Sequence, residues 1–419
     1  MLLFARQAKI IDPNRPYHGR RQDILIKNGK IEAIGPQIDS SNAQVIESAD
    51  LHLSIGWLDI GLQVADPGFE HREDISTATL AAARGGYTAI APFPNTNPVI
   101  DSKTALNYWR NQSRLHLVDL LPIGAITSHC NGKDITEMID MHQGGAFAFS
   151  DGDHPIQDNG MMMRALQYVR AFDGVVINRP YDLALSGGGH IHEGYTSTVM
   201  GMKGIAPLAE EMMIIRDINL AAYTASKVHI HGISTAGAVA LIRKAKEDGI
   251  AVTCSVPALN LAYEDKAVEN FDAQFKVLPP LRTAEDRAAL KAGLEDGTID
   301  MIISNHTPWE EDKKKLEFAY AEFGAIGLET CYSLVNTETR LSQEDIVEKL
   351  AIQPRKVFGQ DIPKIQEGQS ADLCFFDPSQ EWKVDAKALA SKSKNTPLVG
   401  KVLKGKVLGV VKGNQSLFC

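Results

Sequence analysis

Two kinds of hydrophobic pattern divide this chain. Over residues 1–54, apolar and polar positions alternate in short runs (LLFARQAKII, DILIKNGKIEAIG, AQVIESADLHL) broken by Asn-Gly and Asp-Pro turn signals. From about residue 55 to 355, apolar runs of strand length are separated by amphipathic stretches of helical length. The first run passes through Trp57 and Asp59 and is followed by ISTATLAAAR, a Gly-Gly break and TAIAPF. Further runs are HLVDLLPIGAIT, GAFAFSD, GVVINRP, KVHIHGIS, IAVTCSV and IDMIISNH. Between them, stretches such as TAGAVALIRKAKEDG and TAEDRAALKAGLEDG end in the glycine that closes a helix. Beyond residue 355 the short β texture returns in ADLCFFDP, EWKVD and KVLKGKVLGVVKGNQSLF.

The eight strand candidates of the middle region predict an α/β fold, a TIM-type (β/α)8 barrel over residues 55–354. Periodicity alone leaves a doubly wound sheet open as the alternative. Residues 1–54 and 355–419 predict one small composite β domain assembled from both termini.

Composition narrows the function classes. With 44% apolar and 23% charged residues the chain reads as an ordinary folded protein. Its 52 acidic side chains exceed 43 basic ones, a formal charge of −9 that argues against nucleic acid or an anionic membrane as partner. Five cysteines without a CxxC pair suit a reducing cytoplasm, and Cys254 and Cys374, in apolar runs, are expected core thiols. The N-terminus MLLFARQAKIIDP becomes charged too early for a secretory segment, and no run approaches the length of a membrane span.

A set of motifs runs the length of the chain in one order. These are Asp66-Pro67-Gly68-Phe69-Glu70-His71-Arg72-Glu73-Asp74, Gly85-Gly86-Tyr87-Thr88, Pro94-Asn95-Thr96-Asn97-Pro98 and Phe149-Ser150-Asp151. Glu193-Gly194, Ser234-Thr235-Ala236, Pro279-Pro280-Leu281-Arg282, Asp296 to Asp300, Phe323 to Thr330 and Asn395-Thr396-Pro397 continue it. Together they resemble the dihydroorotases, cyclic amidohydrolases of pyrimidine synthesis. The resemblance implies a barrel with a composite β domain. It also implies reversible closure of N-carbamoyl-aspartate to dihydroorotate, with zinc-activated water acting in the hydrolytic direction.

That chemistry needs a cationic centre to polarise an amide and a carboxylate to move protons. Residues i and i+2 at a strand end share a face, which is why the family carries His-x-His there. Here the two positions hold Gly61 and Gln63. The next histidine position falls on Arg179, beside Asn178, and another falls on Gly232, before Ile233-Ser234-Thr235-Ala236. The aspartate base aligns with Asn305, which cannot accept a proton near neutral pH. Asp151 matches the metal-bridging aspartate and is retained. Of the substrate contacts, an arginine position is Ala65, an asparagine position is Leu278, and Asn95 survives. Asn95 also suits a purely structural turn, and Arg282 suits a salt bridge, packing or a partner contact.

Two function classes follow. One is a catalytically inactive dihydroorotase homologue without cofactor, a pseudoenzyme and homo-oligomer. The resemblance suggests that such a chain accompanies aspartate transcarbamoylase as a structural partner. The other is an active dihydroorotase with an atypical zinc site drawn from Asp151, His154, His190, His192, His229, His231 and His306. Alternation turns His231 to the face opposite Gly232, so His229 and His231 are expected to pack as barrel-wall residues. His306 is expected as a hydrogen-bonded loop or wall residue.

Overall fold

A computed structural model describes residues 1–13, 15–39 and 42–418; Cys419 lies outside the described residues. The N-terminal strands are β1 (Leu2–Ile11), β2 (Arg21–Lys27), β3 (Lys30–Gly35), β4 (Gln44–Ile46) and β5 (His52–Ile55). Asn28 and Gly29 join β2 to β3, and both have positive φ, as a two-residue hairpin turn requires. Then follow β6 (Trp57–Leu62), β7 (Tyr87–Pro92), β8 (Asp119–Leu120) and β9 (Val175–Asn178). A two-residue ladder, β10 (Ile191–His192) with β11 (Gly204–Ile205), precedes β12 (Lys227–Ile230), β13 (Val252–Pro257) and β14 (Met301–Ile303). The C-terminal strands are β15 (Asp372–Lys383), β16 (Val402–Lys412) and β17 (Gln415–Phe418).

One eight-stranded sheet draws on both ends of the chain. Its order is β17-β16-β15-β5-β1-β2-β3, and β4 pairs with β1. β5 leads after one residue into β6, so the sheet feeds directly into the first stave of the barrel.

The barrel is parallel throughout. β6-β7-β8 form one arc and β14-β13-β12-β9 another. The segment around Phe149 joins the arcs, bridging to Gly124 on one side and Val176 on the other. Gln63 N–H donates to His306 O at 2.9 Å and brings the last stave to the first. The eight apolar runs thus give eight staves. Alternate residues Leu58 and Ile60, Ala89 and Ala91, Val175 and Ile177, and Met301 and Ile303 belong to one buried cluster with Phe93 and Phe358. That is the period-two pattern expected of side chains filling a barrel. Helices after the strands start on side-chain caps, including Asp74, Asp158, Thr235 and Thr283. No helix among the described residues is long and apolar enough to cross a membrane.

Candidate active site

β6 is distorted where the family's first ligand would sit. Its register against β7 slips between Ile60 and Leu62, and Gly61 takes a φ of +67°. This bulge is a place for glycine, since L side chains are strained at that φ. The space beside it is filled. A Cβ on Gly61 would lie 2.1 Å from Cε1 of His231.

His231 therefore faces the barrel interior beside Gly61, and His229, on the same face of β12, packs against Phe358 at 5.5 Å. The two rings lie 6.3 Å apart, and His231 packs edge-on against Phe93 at 4.9 Å. The alternation argument was right that residues 231 and 232 diverge, but the inward face belongs to His231. Its Nδ1 lies 3.4 Å from Ser255 Oγ, and its Nε2 is buried beside the Gly61 backbone without a well-formed hydrogen bond. Burial, then the Arg179 guanidinium, holds its pKa well below the usual imidazole range, so the ring is neutral. His229 is tied to Thr253 Oγ1 at 2.9 Å and Ser255 Oγ at 3.1 Å, and burial lowers it to about 3.

At the end of β9, Arg179 is buried and brings a cation into the mouth. Its Nη1 stands 2.9 Å from Asp153 Oδ1, and its guanidinium lies 5.6 Å from the Phe93 ring centre. Gln63 donates its amide N–H to the other oxygen of Asp153. Gln63 and Arg179 thus meet at Asp153, one by a hydrogen bond and one by an ion pair, while Arg179 Nε is buried without a hydrogen-bond partner. Asn178, one residue earlier, faces away and donates to buried Asp217 at 2.6 Å.

Asp151 is spent on the backbone. Oδ1 accepts the Ile126 and Thr127 amides at 2.8 and 2.9 Å, and Oδ2 accepts the Thr127 hydroxyl. Burial still raises its pKa to about 6 against those bonds. Asn95 is likewise occupied at both ends of its amide, donating to Asp151 O and accepting Asp153 N–H, each at 3.0 Å.

The remaining positions are built into the wall. Asn305 has a φ of +49° and donates to Leu278 O at 3.1 Å. Gly232, at φ +75°, has more room, with Pro279 Cδ 3.5 Å from a Cβ placed there. Ala65 is buried and Leu278 is half-buried. His306 accepts the Gly327 amide at Nδ1 (3.2 Å) and turns Nε2 toward Glu73 at 3.5 Å. His192 does not pair with His190; it is buried with Nδ1 3.2 Å from Arg282, whereas His154 is exposed. Arg282 is itself buried, bonded to Ser234, Ile205 O and Glu210, which removes it from any partner surface.

Relatives place this geometry in a lineage. A family described as "Dihydro-orotase-like" matches residues 52–238, and one described as "Amidohydrolase family" matches residues 181–415. A protein named dihydroorotase from Pelotomaculum thermopropionicum is 41% identical over 99% of this chain and 98% of its own length. One of the same name from Geotalea daltonii is 40% identical over 97% and 96%. This chain belongs to the dihydroorotase family. The L-hydantoinase of Arthrobacter aurescens shares the dihydroorotase-like fold at a TM-score of 0.87, covering 100% of this chain and 96% of its own at 24% identity. The dihydropyrimidinase of Brevibacillus agri NCHU1002 does so at 0.83 and 20%, covering 100% and 95%.

The dihydroorotase metal site is not supported by the residues present. A neutral imidazole fills the space beside residue 61, a guanidinium occupies a histidine position, and the retained aspartate already accepts two amides and a hydroxyl. A fixed cation in the cleft opposes a second one, and a tight zinc site takes three or four protein ligands. Among the described residues no group of three or more His, Cys, Asp or Glu converges in a way that could hold a metal ion.

Sequence reasoning missed three carboxylates that organise the site. Asp153 partners both Gln63 and Arg179, and its only signal was its place two residues after Asp151. Asp59 lies in the middle of β6, and its charge inside an apolar run was the available clue. It receives Ser304 N–H at 3.0 Å and the Ser304 hydroxyl, and burial raises it to about 6. Glu73 accepts Lys392 N–H at 2.9 Å together with the hydroxyls of Thr77 and Ser391. Burial alone would raise its pKa, but His306 and these hydrogen bonds outweigh that and hold it low.

Proposed function

We propose that this chain is a dihydroorotase homologue of pyrimidine biosynthesis that has lost catalysis and serves as a structural partner of aspartate transcarbamoylase. The observation that carries the reading is the His231 ring packed against Gly61: the first ligand position is lost, and its space has been taken by another side chain. Loss of a ligand alone leaves a cavity that a substitute group can enter. A filled cavity with a paired guanidinium beside it leaves neither the ion nor the attacking water a place. Asn305 in place of the aspartate base supports the same reading.

About 40% identity to proteins named dihydroorotase favours the competing reading, an active enzyme with an atypical site. Elemental analysis of purified protein with a dihydroorotate hydrolysis assay separates the two. The expected result is substoichiometric zinc, manganese and iron, with no hydrolysis above the uncatalysed rate. Stoichiometric metal with turnover overturns the proposal. The partnership is tested by co-expression with the transcarbamoylase of the same organism and size-exclusion chromatography. Co-elution, with transcarbamoylase activity dependent on this chain, is expected; separate elution with full activity removes that half of the proposal.

A further inference from the structure

A cavity of about 360 Å³ lies beside the barrel, between the C-terminal end of its first helix (Ile75–Arg84), the segment around Ala388 and the strands β15 and β16. It shares no lining residue with the barrel mouth, where Gln63, Asp153, Arg179 and His231 stand. Its size is that of a pocket for a small organic molecule. Trp382, near the end of β15, donates its one side-chain N–H to Ser333 Oγ and Gly405 O, both at 3.0 Å, which fixes the indole in place. With that N–H spent, the ring has only apolar surface left to offer, and Leu389 and Val407 extend the same lining.

The charge around the cavity runs against that of the molecule. Acidic side chains outnumber basic ones along the chain, 52 to 43, yet the lining holds three basic residues, Arg84, Lys383 and Lys406, and one acidic residue, Glu329. Glu329 is already occupied, since its carboxylate accepts the Ala390 amide at 2.8 Å and the Ser391 amide at 3.2 Å. Arg84 gives an N–H of Nη1 to Ala388 O at 2.6 Å, which holds the guanidinium at the cavity wall and leaves its other N–H groups over. Lys383 and Lys406 form no ion pair among the described residues, whereas Lys412, further along β16, pairs with Asp119 at 2.5 Å. Unpaired lysines are common on a protein surface. What sets these two apart is that they meet an arginine around one apolar hollow.

We propose that this pocket binds a small organic anion carrying a planar ring, with the ring against Trp382 and Val407 and the carboxylate or phosphate held by Arg84, Lys383 and Lys406. The guanidinium presents parallel N–H donors that match either anionic group. The lysines bring point charges on long stems that cover apolar surface as they reach the anion. A cation is repelled by this set, a neutral ring leaves the three positive charges without a counterpart, and a bare inorganic anion leaves the apolar walls in water. The site is separate from the barrel mouth and stands whether or not the barrel is catalytic.

Calorimetric titration of the full chain tests this with two probes, 1-naphthoate for the carboxylate and adenosine 5′-monophosphate for the phosphate ester. At least one is expected to bind with a Kd below about 1 mM, and the tighter of the two tells which anionic group the site prefers. Naphthalene-1-carboxamide and adenosine, which keep the rings and lack the charge, are expected to bind at least about tenfold more weakly than their anionic counterparts, as is inorganic phosphate. Lys383→Met and Lys406→Met keep the stems and remove the charges. Each is expected to weaken the bound probe by about tenfold with an unchanged melting temperature, and Trp382→Leu to weaken it similarly. Should Trp382→Leu fail to fold, the two lysine variants decide alone. Raising salt to about 1 M, where the screening length falls to about 3 Å, should weaken binding in the wild type and much less in the lysine variants. Absence of binding by both probes, equal binding of the neutral analogues or of inorganic phosphate, or lysine variants with unchanged affinity overturns the proposal.

Discussion

Gly61 shows how one residue can be tied to the packing around it. Glycine there could have been an isolated deletion that left a hole. The backbone at φ +67° and the imidazole of His231 beside it make it a requirement of the present packing. Gly61→Ala is therefore expected to destabilise the protein by about 3 kcal/mol, from overpacking plus the strain of a left-handed residue. In a His231→Ala background the same change should cost only the backbone part, about 1 kcal/mol. Urea denaturation of the four proteins measures both, and equal costs in the two backgrounds would show that the ring is not what fills the space. His229 supports a second prediction at this scale. Its folded pKa of about 3 lies below the unfolded value of 6.5, so the unfolded chain binds the extra proton on acidification. Its contribution is fully present above pH 6.5 and is lost as pH falls from there toward 3. His229→Gln keeps hydrogen bonds to Thr253 and Ser255 without that proton. The stability difference between variant and wild type should move in the variant's favour by about 2 kcal/mol between pH 7 and pH 5. Parallel pH profiles would contradict the assignment.

At the scale of elements, much was legible because the barrel writes itself in period two. The runs through Trp57, Ala89, Ile177 and Ile302 became strands because alternate apolar residues fill the interior and the others face helices. The sense of residues at the strand ends was less legible. The slip at Gly61 and positive φ at Gly232 and Asn305 distort the strand ends just where ligands would stand, and taking residue 232 as the inward position assigned His231 to the other face. Long-range partners were invisible for another reason: Gln63 and Arg179 meet at Asp153 across 90 and 26 residues of chain, and no spacing rule spans that. Glu73 is the clearest case. From the loop after β6 it gathers the Lys392 amide, the Ser391 hydroxyl and His306, pinning the C-terminal segment to the barrel mouth. Glu73→Ala should cost about 3 kcal/mol, since it orphans buried donors and removes a charged acceptor. Amide exchange at Lys392 should quicken markedly. Unchanged exchange would mean that Glu329, which accepts the Ala390 and Ser391 amides, holds the segment alone.

For the whole molecule, the proposed loss of the metal site predicts a barrel whose stability does not depend on an ion. Where a metal ties several strand ends together, binding stabilises the folded state in proportion to the logarithm of ion concentration over Kd, about 2.7 kcal/mol at a hundredfold excess. Chelation then lowers the melting temperature by several degrees. In this chain the strand ends are tied by other means: Arg179 with Asp153 and Gln63, Asp151 with the Ile126 and Thr127 amides, Ser304 with Asp59, and His306 with Glu73. Each is a hydrogen bond or ion pair made inside the chain. Dialysis against excess EDTA should leave the melting temperature within about 1 °C of its starting value, and adding zinc afterwards should not raise it. The two directions check one another, because a weakly held ion escapes notice on removal but reveals itself on addition. A fall of several degrees with EDTA, restored by zinc, would require a site that His231 and Arg179 leave no room for. It would also favour the reading of the chain as an active enzyme.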